Sequence, residues 1–211
     1  MSLSHPKSVL ITGASSGLGR ALALAYAGHG TAIYLSGRDQ GRLDAVAEDC
    51  RQRGATAEGR TIDVTDADAM AVWIKEADEK MPLDLVIANA GITNSTSGLA
   101  DGPERTRRIL AVNVDGVVNT VLPALAAMDA RNKGQIALIA SIAGFRGLPT
   151  SSAYSASKAM VKAWGEGLRI RRPPSSGAVW PATTPASSFP GRCIWLSGCW
   201  RPCRRPGRTR S

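Results

Sequence analysis

The sequence predicts an α/β fold: a doubly wound parallel sheet, Rossmann-like, with helices on both faces and strand order 3-2-1-4-5. Three observations predict it. Short β-rich runs alternate five times with stretches of helical apolar spacing along residues 1–170. The connections are short, so right-handed crossovers put the first strand at the centre of the sheet. The first strand runs straight into a glycine-rich turn, ITGASSGLG.

The elements follow in order. SVLIT reads as a buried strand ended by Gly13, and Leu18, Ala21, Leu22 and Ala25 give the first helical stripe. TAIYLS is the second strand, followed by the stripe Leu43, Val46, Ala47 and Cys50. TAEGRTIDV is a weaker third strand, and Met70, Trp73, Ile74 and Ala77 repeat the helical pattern. LDLVIAN is the fourth strand. A long helix over 104–128 then carries Leu110, Val114, Val117, Val118, Val121 and Leu125. GQIALIAS is the fifth strand, and Ala156, Ala159, Met160, Ala163 and Trp164 mark a last helix over 152–168. The switch point falls between strands 1 and 4, where the carboxyl ends of the strands open a crevice for a ligand.

After Arg169 the pattern changes. Residues 171–211 hold seven of the twelve prolines, three of the five tryptophans and eight arginines, with no Asp, Glu or Lys. Neither strand nor helix period persists there, so strands 6 and 7 are not recognisable and an irregular Arg/Pro-rich tail is expected. Two units result: 1–170 as an incomplete dinucleotide-binding and catalytic domain, and 171–211 as the tail. The abrupt change suggests translation in a shifted reading frame, which resequencing downstream of codon 169 would test. A basic nucleic-acid arm is the alternative reading of Arg201, Arg204, Arg205, Arg208 and Arg210 near Trp200.

Charge and cysteine exclude several classes. The net charge is +9, and removing the eight tail arginines leaves +1 on residues 1–170, so the body has no nucleic-acid footprint. Cys50 stands alone in the body, which fits a reducing cytoplasm. Cys193, Cys199 and Cys203 are too few for a tetrahedral zinc site, and His5 and His29 lie far away in sequence. No apolar run reaches the roughly 20 residues of a membrane span, and the N-terminus does not read as a signal peptide. The expectation is a cytoplasmic protein without metal, nucleic acid or membrane.

Gly13, Gly17 and Gly19 sit where the first strand meets the first helix. Glycine lets backbone approach a pyrophosphate, and helix N-terminal amides meet its charge. At the end of the second strand, YLSGRDQ places Gly37 and Arg38 where an acid would favour NAD. A guanidinium suits a 2′-phosphate, so NADP is expected and NAD is the alternative; Asp39 reads as the N-cap of the next helix. Tyr154 and Lys158 stand one helical turn apart. A free tyrosine, with a pKa of about 10, is a poor acid or base at neutral pH, and a neighbouring ammonium favours its phenolate. Each feature also has a plainer reading: a ligand-free turn, a solvated arginine, or a chance helical pair.

Taken together these stretches resemble the short-chain dehydrogenase/reductase family from about Lys7 to Leu168. TGASSGLG, with Gly13, Ser15, Ser16, Gly17, Leu18 and Gly19, is similar to its cofactor loop. DVT, with Asp63 and Val64, is similar to its adenine-side motif, which implies that Asp63 contacts the adenine. NAG, with Asn89, Ala90 and Gly91, is similar to its strand-4 motif, which implies that Asn89 meets the adenosine side. Asn113 in AVNVDG, Ser141 in ALIASIAG, and Tyr154 and Lys158 in SAYSASKAM match its four catalytic positions. Singly, Asn113 would also serve as a self-bonding helix residue and Ser141 as a strand terminator.

The resemblance implies hydride transfer between a nicotinamide dinucleotide and a secondary alcohol or ketone. Tyr154 would exchange the proton, Lys158 would hold the ribose hydroxyls, Ser141 would polarise the carbonyl, and Asn113 would hold a water beside Lys158. It also implies a homodimer or homotetramer paired through the two long helices. A member impaired by its altered C-terminal region, binding the dinucleotide without turnover, is the competing expectation.

Overall fold

The computed structural model describes residues 5–93 and 102–170 and the backbone of 193–195. Expectations for the rest of 171–211, an irregular segment without a recognisable strand 7, lie outside the described residues.

Five strands follow the expected order: β1 (Ser8–Thr12), β2 (Ala32–Gly37), β3 (Thr56–Thr61), β4 (Leu85–Ala88) and β5 (Gln135–Leu138). All pair in parallel, in the order β3-β2-β1-β4-β5. Every residue of β1 and β2 is buried. A central strand covered on both faces has no solvent side, which is why SVLIT shows no polar alternation. A sixth strand, β6 (Cys193–Trp195), pairs in parallel with β5 from Ile136 to Leu138. Periodicity alone makes β5 the edge of the sheet; three tail residues cover it instead, a pairing supplied by backbone and invisible to a period-based reading.

Side chains alternating along the strands feed two cores. On one face Val9, Ile11, Ile33 and Leu35 pack with Leu43, Val46 and Cys50 of α2 (Gln40–Gln52) and Ala23 of α1 (Gly17–Tyr26). On the other, Leu10, Tyr34 and Val86 pack with Met70, Trp73 and Ile74 of α3 (Ala67–Lys80), Val117 and Val121 of α5 (Gly116–Ala130) and Val161 of α6 (Ser152–Ile170). The stripes predicted for α2 and α3 are the buried faces.

Three other stripes are corrected. In α1, Leu18, Ala21 and Ala25 are exposed and Leu22 is half-buried, whereas Gly19 and Ala23 face the sheet. A Cβ on Gly19 would stand 2.2 Å from the Gly13 carbonyl oxygen, so the helix lies too close for leucine there. In α6, Ala156, Ala159 and Ala163 are exposed, and the buried positions include Ala153, Ser157, Lys158 and Val161. Met160 and Trp164 of the predicted stripe do pack against the core, while its alanines face out because Ser157 and Lys158 share the inner face with Val161. The single helix expected over 104–128 is α4 (Pro103–Leu110), a π turn at Ala111–Asp115, and α5. The π turn adds a residue to one coil and rotates the rest of the rod, leaving Leu110 37% exposed while Val112 and Asn113 turn inward.

The continuous span Pro103–Ala130 also has the length and mean hydropathy of a membrane helix, contrary to the sequence expectation. In the fold its Val117, Val121, Ala124 and Met128 belong to the core.

Candidate active site

The carboxyl ends of β1, β2, β3 and β4 enclose a cleft of about 620 Å³. Its lining includes Gly13, Ser15, Ser16, Gly17, Leu18, Gly19, Arg38, Asp63, Val64, Asn89, Ala90 and Gly91. All twelve are residues that the sequence singles out for the cofactor. Gly37 and Asp39, from the same turn as Arg38, also line it, and Arg42, Ile62, Ile92 and Val112, which no spacing signal marks, complete it.

The loop after β1 is built for close approach. Gly13 has φ +65°, and a Cβ there would stand 2.8 Å from the Ala90 Cα. Asn89 holds the loop from the opposite strand, its Nδ2 donating to the carbonyls of Thr12 (2.9 Å) and Gly13 (3.2 Å). The Thr12 hydroxyl accepts from the amides of Asn89 and Ala90, both at 3.1 Å. Asn89 therefore shapes the cleft from within. The N-terminus of α1 has no side-chain cap and no acidic residue in its first turn. Amides left open beside glycine, aimed into a cleft, suit a diphosphate.

The rim carries charge. Asp39 caps α2, accepting from the Arg42 amide at 3.0 Å, and its other oxygen lies 3.2 Å from the Arg42 Nε. Arg38 is exposed and has no side-chain partner among the described residues. Asp63 is held from two sides: its Oδ1 accepts from the amide (3.0 Å) and hydroxyl (2.8 Å) of Thr65, and its Oδ2 pairs with Arg108 at 2.5 Å. Burial pushes the Asp63 carboxyl up, but the Thr65 and Arg108 hydrogen bonds outweigh it and bring its pKa down to about 2.

Tyr154 and Lys158 occur together on α6. Lys158 is 5% exposed, its Nζ donates to the Ile139 carbonyl at 2.8 Å, and it lies 5.8 Å from the Tyr154 ring centroid. Burial lowers its pKa to about 8. Asn113 is fully buried in the π turn. Its Oδ1 accepts from the Ile92 amide (2.8 Å), and its Nδ2 donates to the Ile92 carbonyl (2.9 Å) and the Ser157 hydroxyl (3.0 Å). Ser157 in turn donates to the Tyr154 carbonyl at 2.7 Å. Both Asn113 amide hydrogens thus bind loop to helix and are not free for water. Ser157, unmarked in the sequence, is the joint between them; its only signal is its place beside Lys158.

Ser141 caps the short 3₁₀ turn Ile142–Gly144, its Oγ accepting from the Ala143 amide at 3.2 Å, which leaves its own hydrogen to donate. That turn lies against α6: a Cβ on Gly144 would stand 2.8 Å from the Lys158 carbonyl. Ser141, Tyr154 and Lys158 do not line the 620 Å³ cleft. Lys158 and Asn113 adjoin it at Gly91, where a Cβ would lie 3.5 Å from the Lys158 Nζ and 3.3 Å from the Asn113 Oδ1.

The family model for short chain dehydrogenase matches residues 7–173. An uncharacterized oxidoreductase of Myxococcus xanthus (strain DK1622) is 42% identical over 165 residues, covering 78% of this chain and 65% of that protein. The chain thus spans somewhat less than two thirds of that relative. Among solved structures, NAD⁺-bound xylitol dehydrogenase superposes with a TM-score of 0.73 at 29% identity, over 78% of this chain and 64% of that one. A metagenomic short-chain oxidoreductase in complex with NADP gives 0.71 at 27% identity, over 77% of this chain and 75% of that one.

Proposed function

The chain belongs to the short chain dehydrogenase family, and from that premise we propose that it is an NADP-dependent oxidoreductase interconverting a secondary alcohol and a ketone. The observation that carries the proposal is the seam at Gly91, where the glycine-walled cleft meets the buried Lys158 ammonium beside Tyr154. When bound, the nicotinamide supplies the two-electron chemistry. The loop of Gly13, Ser15, Ser16, Gly17, Leu18 and Gly19 holds the diphosphate, and Asp63, Val64, Asn89, Ala90 and Gly91 frame the adenosine side. Lys158 holds the nicotinamide ribose, and the Tyr154 hydroxyl beside it moves a proton to or from the substrate oxygen. The free hydrogen of Ser141 orients that oxygen. Asn113 and Ser157 keep α6 in register with the loop at Ile92.

Arg38 supports NADP over NAD, because an exposed guanidinium at the cleft, without a side-chain partner among the described residues, is available to a 2′-phosphate. NADP in one solved relative and NAD⁺ in another are both precedents, so the choice rests on this arginine. The proposal includes a cytoplasmic protein acting on small alcohols or carbonyls, paired through α5 and α6. Exposed Leu122, Ala156, Ala159 and Ala163 support that pairing face.

Tyr154→Phe provides the test. NADPH consumption with a panel of ketones should fall at least a hundredfold, as expected for loss of a general acid. NADPH binding, read by cofactor fluorescence, should stay within about threefold of wild type. Undiminished turnover would remove Tyr154 from its role. A second reading, dinucleotide binding without turnover, is favoured by one observation: the cleft is lined by the residues read for the diphosphate and adenosine, and not by Ser141, Tyr154 or Lys158. Wild-type binding without consumption of any ketone would select it.

A further inference from the structure

Arg108 lies outside every motif that marks the site, yet it bonds directly to a cleft residue. It projects from α4 across to the segment after β3, where its Nη2 donates to the Asp63 Oδ2 at 2.5 Å. Thr65 already occupies the other oxygen through its amide and hydroxyl. The carboxylate is thereby fixed in rotation and tilt, with its unused lone pairs confined to narrow directions.

Two further contacts show that this wall is braced by the same helical rod. Asn119 of α5 donates its Nδ2 to the Val64 carbonyl at 2.9 Å. Gly116 lets α5 lie against Val64, since a Cβ there would stand 2.4 Å from the Val64 Cγ2. Arg105, one helical turn before Arg108, donates to the Thr93 carbonyl, next in the chain to the cleft residue Ile92. Arg105 and Arg108 thus tie α4 to the segments that follow β4 and β3.

We infer that Arg108 is a positioning residue for base recognition: by occupying one oxygen of Asp63 it aims the carboxylate as a pure acceptor, selecting a dinucleotide whose base carries an exocyclic amino group. This rests on the reading of the cleft as a dinucleotide site. A carboxylate facing an amino group receives a hydrogen bond; facing a ring carbonyl at the same position it meets only lone pairs. An untethered carboxylate would rotate to relieve that conflict, and discrimination would be lost. Arg108 prevents the rotation.

The test compares NADPH with its deaminated counterpart, in which hypoxanthine replaces adenine, by fluorescence titration of the full chain. The wild type should bind the adenine form roughly tenfold more tightly; a deeper site would discriminate more, but the Asp63 side chain is 33% exposed. Arg108→Met should bring the ratio to about twofold or less, and Arg108→Lys should restore part of it. Asp63→Asn should also lose the preference. General loosening would weaken both dinucleotides in parallel and leave the ratio intact, so an unchanged ratio in folded Arg108→Met overturns the inference. Should the methionine variant fail to fold, a wild-type ratio in Arg108→Lys together with an unchanged ratio in Asp63→Asn overturns it equally. If the wild type binds neither dinucleotide, the reading of the cleft fails first, and the inference with it.

Discussion

Lys158→Met separates the stability of this protein from its chemistry. The Lys158 ammonium is 5% exposed, and burial lowers its pKa from 10.5 to about 8. At about 1.36 kcal/mol per unit, that displacement destabilises the charged folded form by roughly 3 kcal/mol. The sign comes from proton counts. Between pH 8 and 10.5 the unfolded chain keeps the lysine proton while the folded chain has released it, so stability rises with pH across this window. The gain is complete above the unfolded value and lost as pH falls through the folded one. Methionine fills similar volume without charge, so the variant lacks this dependence. Loss of the bond to the Ile139 carbonyl shifts its stability by a constant, which a comparison between two pH values removes. Urea unfolding of both proteins at pH 7 and pH 10.5 reads the difference directly. Wild type should gain on the variant by about 3 kcal/mol between the two. A difference that stays constant would refute the claim that burial of this ammonium is the cost the fold bears for its site.

Three other substitutions address the cleft. Arg38→Glu should weaken NADPH binding by about tenfold or more while leaving NADH within a few-fold, because a rim carboxylate repels a 2′-phosphate; equal effects on both cofactors, in titrations at fixed salt, would take Arg38 out of cofactor selection. Gly19→Ala places a Cβ 2.2 Å from the Gly13 oxygen and 2.6 Å from the Asn89 Nδ2. It should cost about 2 kcal/mol or more in urea unfolding and abolish dinucleotide binding. Gly17→Ala meets nothing within 4 Å and bears only its φ of +53°, so a cost of about 1 kcal/mol is expected; similar losses for both would contradict the close-packing account.

How much of the molecule is legible depends on what kind of force places each residue. Leu43, Val46, Ala47 and Cys50 are legible because α2 buries a conventional apolar face. Asp39 is legible as a cap for a local reason too, since its carboxylate bonds a backbone amide three residues on. Local rules fail where two elements approach closely. The fully buried side of α1 is Gly19 and Ala23, and that of α6 includes Ser157 and Lys158, so the closest-packed positions are small or polar and carry no apolar signal. The π turn at Asn113 is equally invisible: it changes register by one residue without changing composition.

By itself the sequence determined the strand–helix alternation, the central place of the first strand, and the residue types gathered at the strand ends. Those arise from periodicity and from glycine, which act within a few residues. Only the tertiary structure decided that Arg108 reaches Asp63, that Ser157 joins Asn113 to Tyr154, and that β6 lies on β5. Each of these links positions tens of residues apart, where no local preference acts and only the packed geometry brings partners within bonding distance.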